Sequence, residues 1–190
     1  MDGRSGRSAL WMAAAMLLTA SIVAGIASLP PALFLCVIEA DTGRRLMEVR
    51  VKPGYKFATW MVHSVQLTPV VERFRVGENG RITATCVEFA DLGWGLPSTV
   101  NGTVEISETC MRIDGYSIEM DELPFRVSHV NNAKLVLVDD RKEIPLVDLV
   151  ADGRGIRIRV EKIPFYVSIL GGSAHANPVS FTEDRQHVRK

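Results

Sequence analysis

Charge of either sign is not in surplus: 22 Lys and Arg balance 22 Asp and Glu. No basic field is available to hold nucleic acid, and aromatic residues, at 7%, are too sparse to interleave with basic ones. Cysteine is scarce as well. Cys36, Cys86 and Cys110 are odd in number and at no metal-like spacing, which speaks against a zinc site. Cys86 and Cys110 either pair across neighbouring strands in an oxidising compartment or stay as buried thiols, and the sequence leaves both open. There is no internal repeat, no convincing amphipathic helix and no Gly-x-Ser-x-Gly turn to display a nucleophile. Gly93-Trp94-Gly95 is followed by neither a helix pattern nor a Lys-Ser/Thr pair, so it is not a phosphate loop.

What the chain does have begins at its N-terminus. Arg4 and Arg7 precede an uncharged run from Ala9 to Leu29, 21 residues long. A helix of that length spans the ~30 Å hydrocarbon core of a bilayer. The run exceeds the core of a cleaved signal peptide, roughly 7–15 residues. Gly25-Ile26-Ala27 is a poor cleavage site, and Leu35 before Cys36 is too large for a lipoprotein signal. The reading is an uncleaved anchor in the cytoplasmic membrane, with the N-terminus inside and the remainder extracytoplasmic, that is periplasmic. Residues 1–31 are then a membrane anchor or signal segment, with 9–29 in the bilayer. Residues 32–170 form a β-rich domain, and 171–190 are a polar tail expected to be disordered.

Within 32–170 short strand patterns recur between turn signals, which predicts an all-β fold, an antiparallel sandwich or barrel-like domain. Strands are expected at Leu33–Glu39, Arg45–Val51, Arg81–Phe89, Thr103–Ser107, Met111–Asp114, Tyr116–Glu119, Leu135–Val138 and Ile156–Val160, with another at Phe165–Leu170. In Arg81–Phe89, Thr83, Thr85 and Val87 are expected on one face. Pro145 leaves Ile144–Val150 open between helix and strand. Asn79-Gly80 is the strongest hairpin turn.

The most informative stretch is Lys56 to Gly77. Phe57–Val65 and Val70–Val76 flank Gln66-Leu67-Thr68-Pro69, and Pro69, with no N–H to give, is assigned to the connection. A four-residue connection sets Val65 opposite Val70 and His63 opposite Glu72, with Cβ atoms about 4.5–5.5 Å apart. Alternation puts Phe57, Met61, His63, Glu72 and Phe74 on the more apolar face. Read structurally, the pair is a satisfied core contact. Read functionally, it marks the mouth of a cavity, because charges are uncommon inside sheets. Ser64 is adjacent to His63 but points to the other face, so a serine hydrolase is not specified. His63 and Glu72 supply two metal ligands where a catalytic zinc needs three. Trp94, between two glycines, is either a lid or a plug over one end of the core.

The run Val62-His63-Ser64-Val65, then Thr68-Pro69-Val70, Glu72 and Phe74, followed by Gly93, Gly95 and Pro97, resembles a family of small exported bacterial proteins of unknown function, the DUF1850 type. The resemblance covers roughly Leu33 to Ile163. This chain departs from the pattern in its longer polar tail and in Trp94. Such proteins are typically encoded beside TRAP transporters of the TAXI type. The resemblance therefore implies a non-catalytic, cofactor-free accessory protein of such an uptake system. Its partners would be the transporter membrane subunits or a TAXI-type solute-binding protein. The ligand- or partner-binding residues would be His63, Ser64, Glu72, Phe74, Gly93, Trp94, Gly95 and Pro97. The alternative is a stand-alone small-molecule-binding module, a sensor or carrier built on His63 and Glu72.

Overall fold

A computed structural model describes residues 3–63, 67–90, 102–107 and 110–170, with side chains from Trp11 to Ser168. Helix α1, Gly3–Ala27, comes first. Eleven strands succeed it among the described residues: β1 Ala32–Glu39, β2 Arg45–Val51, β3 Lys56–Val62, β4 Pro69–Val76, β5 Ile82–Phe89, β6 Thr103–Ile106, β7 Met111–Met120, β8 Glu122–Arg126, β9 Lys134–Leu137, β10 Lys142–Pro145 and β11 Gly155–Ile163. A 3-10 turn, Leu146–Asp148, and a short helix α2, Phe165–Leu170, complete them.

Two sheets form, and every pairing in them is antiparallel. One is ordered β2-β1-β11-β8, the other β10-β9-β3-β4-β5-β7-β6. The predicted all-β, antiparallel domain is thus present. The sheets share one core, in which Leu35, Val37, Ile156 and Ile158 of the first meet Phe57, Leu135, Leu137 and Ile144 of the second. Strand β1 is central and buried on both faces, which explains its unbroken apolar run. Its outward residue Cys36 lies between Glu48 and Arg159 on the flanking strands. Arg45 pairs with Glu48 at 2.6 Å and with Glu161, and these long side chains roof the thiol, whose pKa burial pushes up to about 12.

The Asn79-Gly80 turn forms as expected, with Gly80 at φ +74. Other expectations are corrected. Phe165–Leu170 is helical, not a strand. Ile163 ends opposite Ala32, the first residue of β1, so the residues after it have no strand to pair with. Instead Val167 and Ser168 donate their N–H groups to the Pro164 carbonyl and start a helix. The two short strands either side of Gly115 are one strand, β7, which passes through Gly115 at φ +77, a conformation glycine adopts without steric cost. Ile144–Val150 divides between β10 and the 3-10 turn.

A bulge also overturns the expected facing of β5. Phe74 pairs with Ala84 but Arg73 pairs with Cys86, so Thr85 is an extra residue. Thr83 consequently sits opposite Arg75, and Val87 opposite Glu72, on the other face. The partner strand answers with its own irregularity, Ala84 facing Ile118 and Cys86 facing Asp114.

Phe57 is fully buried and stacks on Phe74, ring centroids 5.1 Å apart at 19°. Truncating it opens a cavity where both sheets meet. Phe57→Ala should cost about 3–5 kcal/mol in urea unfolding of the β-domain, with the cooperativity of the transition retained.

Candidate functional site

The β3–β4 hairpin sets the site, and its register differs from expectation by four residues. Lys56 pairs with Arg75 and the ladder runs on to Val62 opposite Pro69. Glu72 faces Thr59, not His63. Pro69 is the first residue of β4, opposite a residue whose N–H turns away, since Val62 donates to the Asn131 carbonyl at 2.7 Å. At a strand's first position the missing proline donor is tolerated, and this is why excluding Pro69 from the sheet misplaced the turn. His63 donates its main-chain N–H to Thr68 at 2.8 Å and accepts from Leu67 at 2.9 Å, closing the hairpin. It lies four residues beyond Thr59, about 13 Å along the strand. The shift is even, so the predicted faces survive although the His63–Glu72 pair does not.

Glu72 occupies the middle of an inward-facing row that crosses the larger sheet: Ile144, Leu135, Thr59, Glu72, Val87, Ile113 and Val104. Below the row are Phe57 and Phe74, and above it Met61 and Val70. The main core lies on one side. A second cluster of Val70, Phe89, Met111 and Ile113 lies on the other, with Met61 and Tyr116 packing against both. Burial holds the Glu72 carboxyl above the ordinary carboxylate range, opposed by a hydrogen bond from the buried Thr59 hydroxyl. Among the described residues Glu72 makes no ion pair. The Tyr116 phenol is pushed up to about 12, first by burial and then by the Glu72 charge, so it stays protonated. A half-buried carboxyl between a hydroxyl and a phenol, in apolar walls, takes up either a proton or a donor carried by a ligand.

Phe74 is a core residue stacked on Phe57, and His63 is half-buried at the end of β3. Ser64, Gly93, Trp94, Gly95 and Pro97 lie outside the described residues. Thr59 and Tyr116 were missed, although Thr59 is the single polar residue in the alternation Phe57, Thr59, Met61. Among the described residues no group of three His, Cys, Asp or Glu side chains could hold a metal ion. The cysteines are free. Cys86 faces Asp114, four residues from Cys110, a span of about 13 Å that no disulfide bridges.

The outer face of the same sheet is charged. Glu88 accepts from Arg73 at 3.2 Å and from Arg112 at 2.8 Å, and Arg112 also holds Asp114 at 2.6 Å. Beside them opens a cleft of about 430 Å³, lined among others by Lys56, Arg73, Arg75, Arg112, Asp114 and Tyr116. A larger hollow of about 1210 Å³ lies where Pro30, Pro31 and Phe165 meet Arg50, Lys52 and Lys162.

The strands also fix which end is which. Ala32 opposes Ile163, so α1 enters and α2 leaves at one pole, and Gly80 of the β4–β5 turn lies against Leu33 and Lys162 there. The His63–Thr68 turn and the end of β5 at Phe89, which pairs with Val70, lie at the opposite pole. Leu67 crowns that turn, 69% exposed and at φ +55.

Residues 57–146, from β3 to the start of the 3-10 turn, match a family model whose description is Domain of unknown function (DUF1850). No curated protein and no solved structure matches.

Because the Glu72 pKa is raised in the folded state, the native protein binds its proton more tightly than the unfolded chain does. Stability is then full at acid pH and falls as pH rises through the ordinary carboxylate value toward the raised one. Glu72→Gln keeps an acceptor for Thr59 without the charge. It should be more stable than the parent at about pH 8 and lose that advantage by about pH 4. Urea titrations across the range read the difference.

Proposed function

Through residues 57–146 the chain belongs to the family described as domain of unknown function DUF1850, and on that premise we propose that it is a membrane-anchored, extracytoplasmic docking protein of a TAXI-type TRAP solute uptake system. In this reading it is non-catalytic. Residues 9–29 hold it in the cytoplasmic membrane, with the N-terminus inside, and the β-domain recruits or assembles the transporter membrane subunits or the solute-binding protein.

The observation that carries the reading is polar separation. The tether leaves one pole of the domain, while His63, Leu67 and the Pro69-Val70 start of β4 lie at the other. Trp11, Met16, Leu17, Leu18 and Val23 of α1 are all more than half exposed, an apolar surface suited to lipid. Among the described residues no helix is long and apolar enough to cross a membrane, the described side chains of α1 beginning at Trp11. The anchor therefore rests on the full uncharged run of the sequence. At the far pole an exposed leucine in a left-handed conformation suits a contact residue. Tethering raises effective concentration, so a weak docking contact suffices.

The expected behaviour is recovery in the membrane fraction, resistant to alkaline extraction, with a transporter subunit or binding protein co-purifying in mild detergent. Leu67→Asp should remove the partner and leave membrane recovery unchanged. A chain released by carbonate defeats the anchor. An anchored chain that captures neither partner defeats the docking role.

A second reading is favoured by Glu72. A carboxyl with no ion pair among the described residues, set with Thr59 and Tyr116 in an apolar seam, suits a stand-alone small-molecule-binding module, a sensor or carrier. Ligand-dependent stabilisation lost in Glu72→Gln, with no transporter partner recovered, would favour it.

A further inference from the structure

Two cations on the outer face of the larger sheet, Lys56 and Arg75, stand apart from its ion pairs: in the row that carries Arg75, Glu119 is held by Arg81 at 3.1 Å. Lys56 and Arg75 are directly opposite on β3 and β4, both exposed, and like charges in that relation are destabilising. Neither makes an ion pair among the described residues. Asp139 accepts Lys56's main-chain N–H at 3.1 Å, not its ammonium. Arg73, two residues from Arg75 on the same face, shares Glu88 with Arg112. Asp114 is taken by Arg112 and by the Gly115 N–H.

These cations converge on the cleft of about 430 Å³, a volume in the range of small-molecule sites. Four of its lining side chains are cationic and one, Asp114, is acidic. Tyr116 and Val138 supply apolar wall. The bulge at Thr85 and the left-handed Gly115 bring the strand irregularities to this spot. A sheet face with a repulsive cross-strand pair, left unneutralised beside a concavity, is a binding arrangement awaiting a counter-charge.

We propose that this cleft binds a small oxyanion, a carboxylate or phosphate group on a compact organic body, held between Lys56 and Arg75 with Arg73 as a further donor. Arginine presents its N–H groups as a fork matched to either oxyanion, and the lysine adds a point charge. The cleft shares Tyr116 with the Glu72 seam, but its cations lie on the opposite face of the sheet from Glu72, and the proposal does not depend on the docking role.

The test uses the full chain in detergent, titrated calorimetrically with inorganic phosphate and with succinate at constant ionic strength. Two neutralised variants are compared, Lys56→Gln/Arg75→Gln in the cleft and Arg50→Gln/Lys162→Gln away from it. The expected result is saturable binding of at least one probe. It should weaken about tenfold or more in the cleft variant and be unchanged in the remote one. The cleft variant without anion should also melt higher than the parent, because the repulsion is gone. Loss of affinity to the same extent in both variants would reduce the effect to general charge attraction and overturn the proposal. So would heat no greater than that of matched chloride, or an unchanged response in the cleft variant.

Discussion

The contact on which this domain depends is the meeting of its two sheets. Leu35, Val37, Ile156 and Ile158 press against Phe57, Leu135, Leu137 and Ile144, and nearly all of these side chains are out of water. Neither sheet has another partner among the described residues, so each would expose an apolar face if the other were removed. The family match begins at residue 57 and ends at 146, which leaves out β1, β2 and β11, three of the four strands of the smaller sheet. The unit that folds is therefore larger than the unit that is recognised. The matched residues require Leu35 and Ile158 as much as each other.

That packing gives Glu72 its character. A carboxylate on the outer face would be solvated, like Glu88, and held by arginines. Placed one residue out of phase with Arg73, the same group meets Thr59, Val87 and Tyr116 instead. Burial then acts on it with one hydroxyl in opposition. The bulge at Thr85 is part of this arrangement, since it brings Val87 and Phe89 inward beside Glu72 and Val70. Without the extra residue, Cys86 and Glu88 would take those inward places.

Much of this was legible in the residues, and the losses have definite causes. Strand β2 was readable to both of its ends from the turn signals that flank it, and Ile156–Val160 announced β11 because strict alternation survives where one face is wet. The faces of β3 and β4 were also readable, since parity tolerates an even error. The register was not, because a proline at a strand's first residue looks the same in sequence as one in a turn. Bulges leave little trace in a pattern, so Val87 was assigned to the wrong face and β7 was cut in two at Gly115. The outer-face cleft was invisible for a related reason. Lys56, Arg73, Arg75 and Arg112 read singly as solvated positions and become a group only once the strands that carry them are laid side by side.

The pairing of Ala32 with Ile163 carries a mechanical consequence. Both exits of the domain occupy one point, so the body stands on a single stem and not between two supports. A strand of eight residues, such as β1 or β4, extends about 26 Å from that stem. Were the body to pivot about that stem, Val62 and Pro69 at its far end would trace an arc of roughly that radius with every hydrogen bond in the sheets kept, so strand length sets the reach.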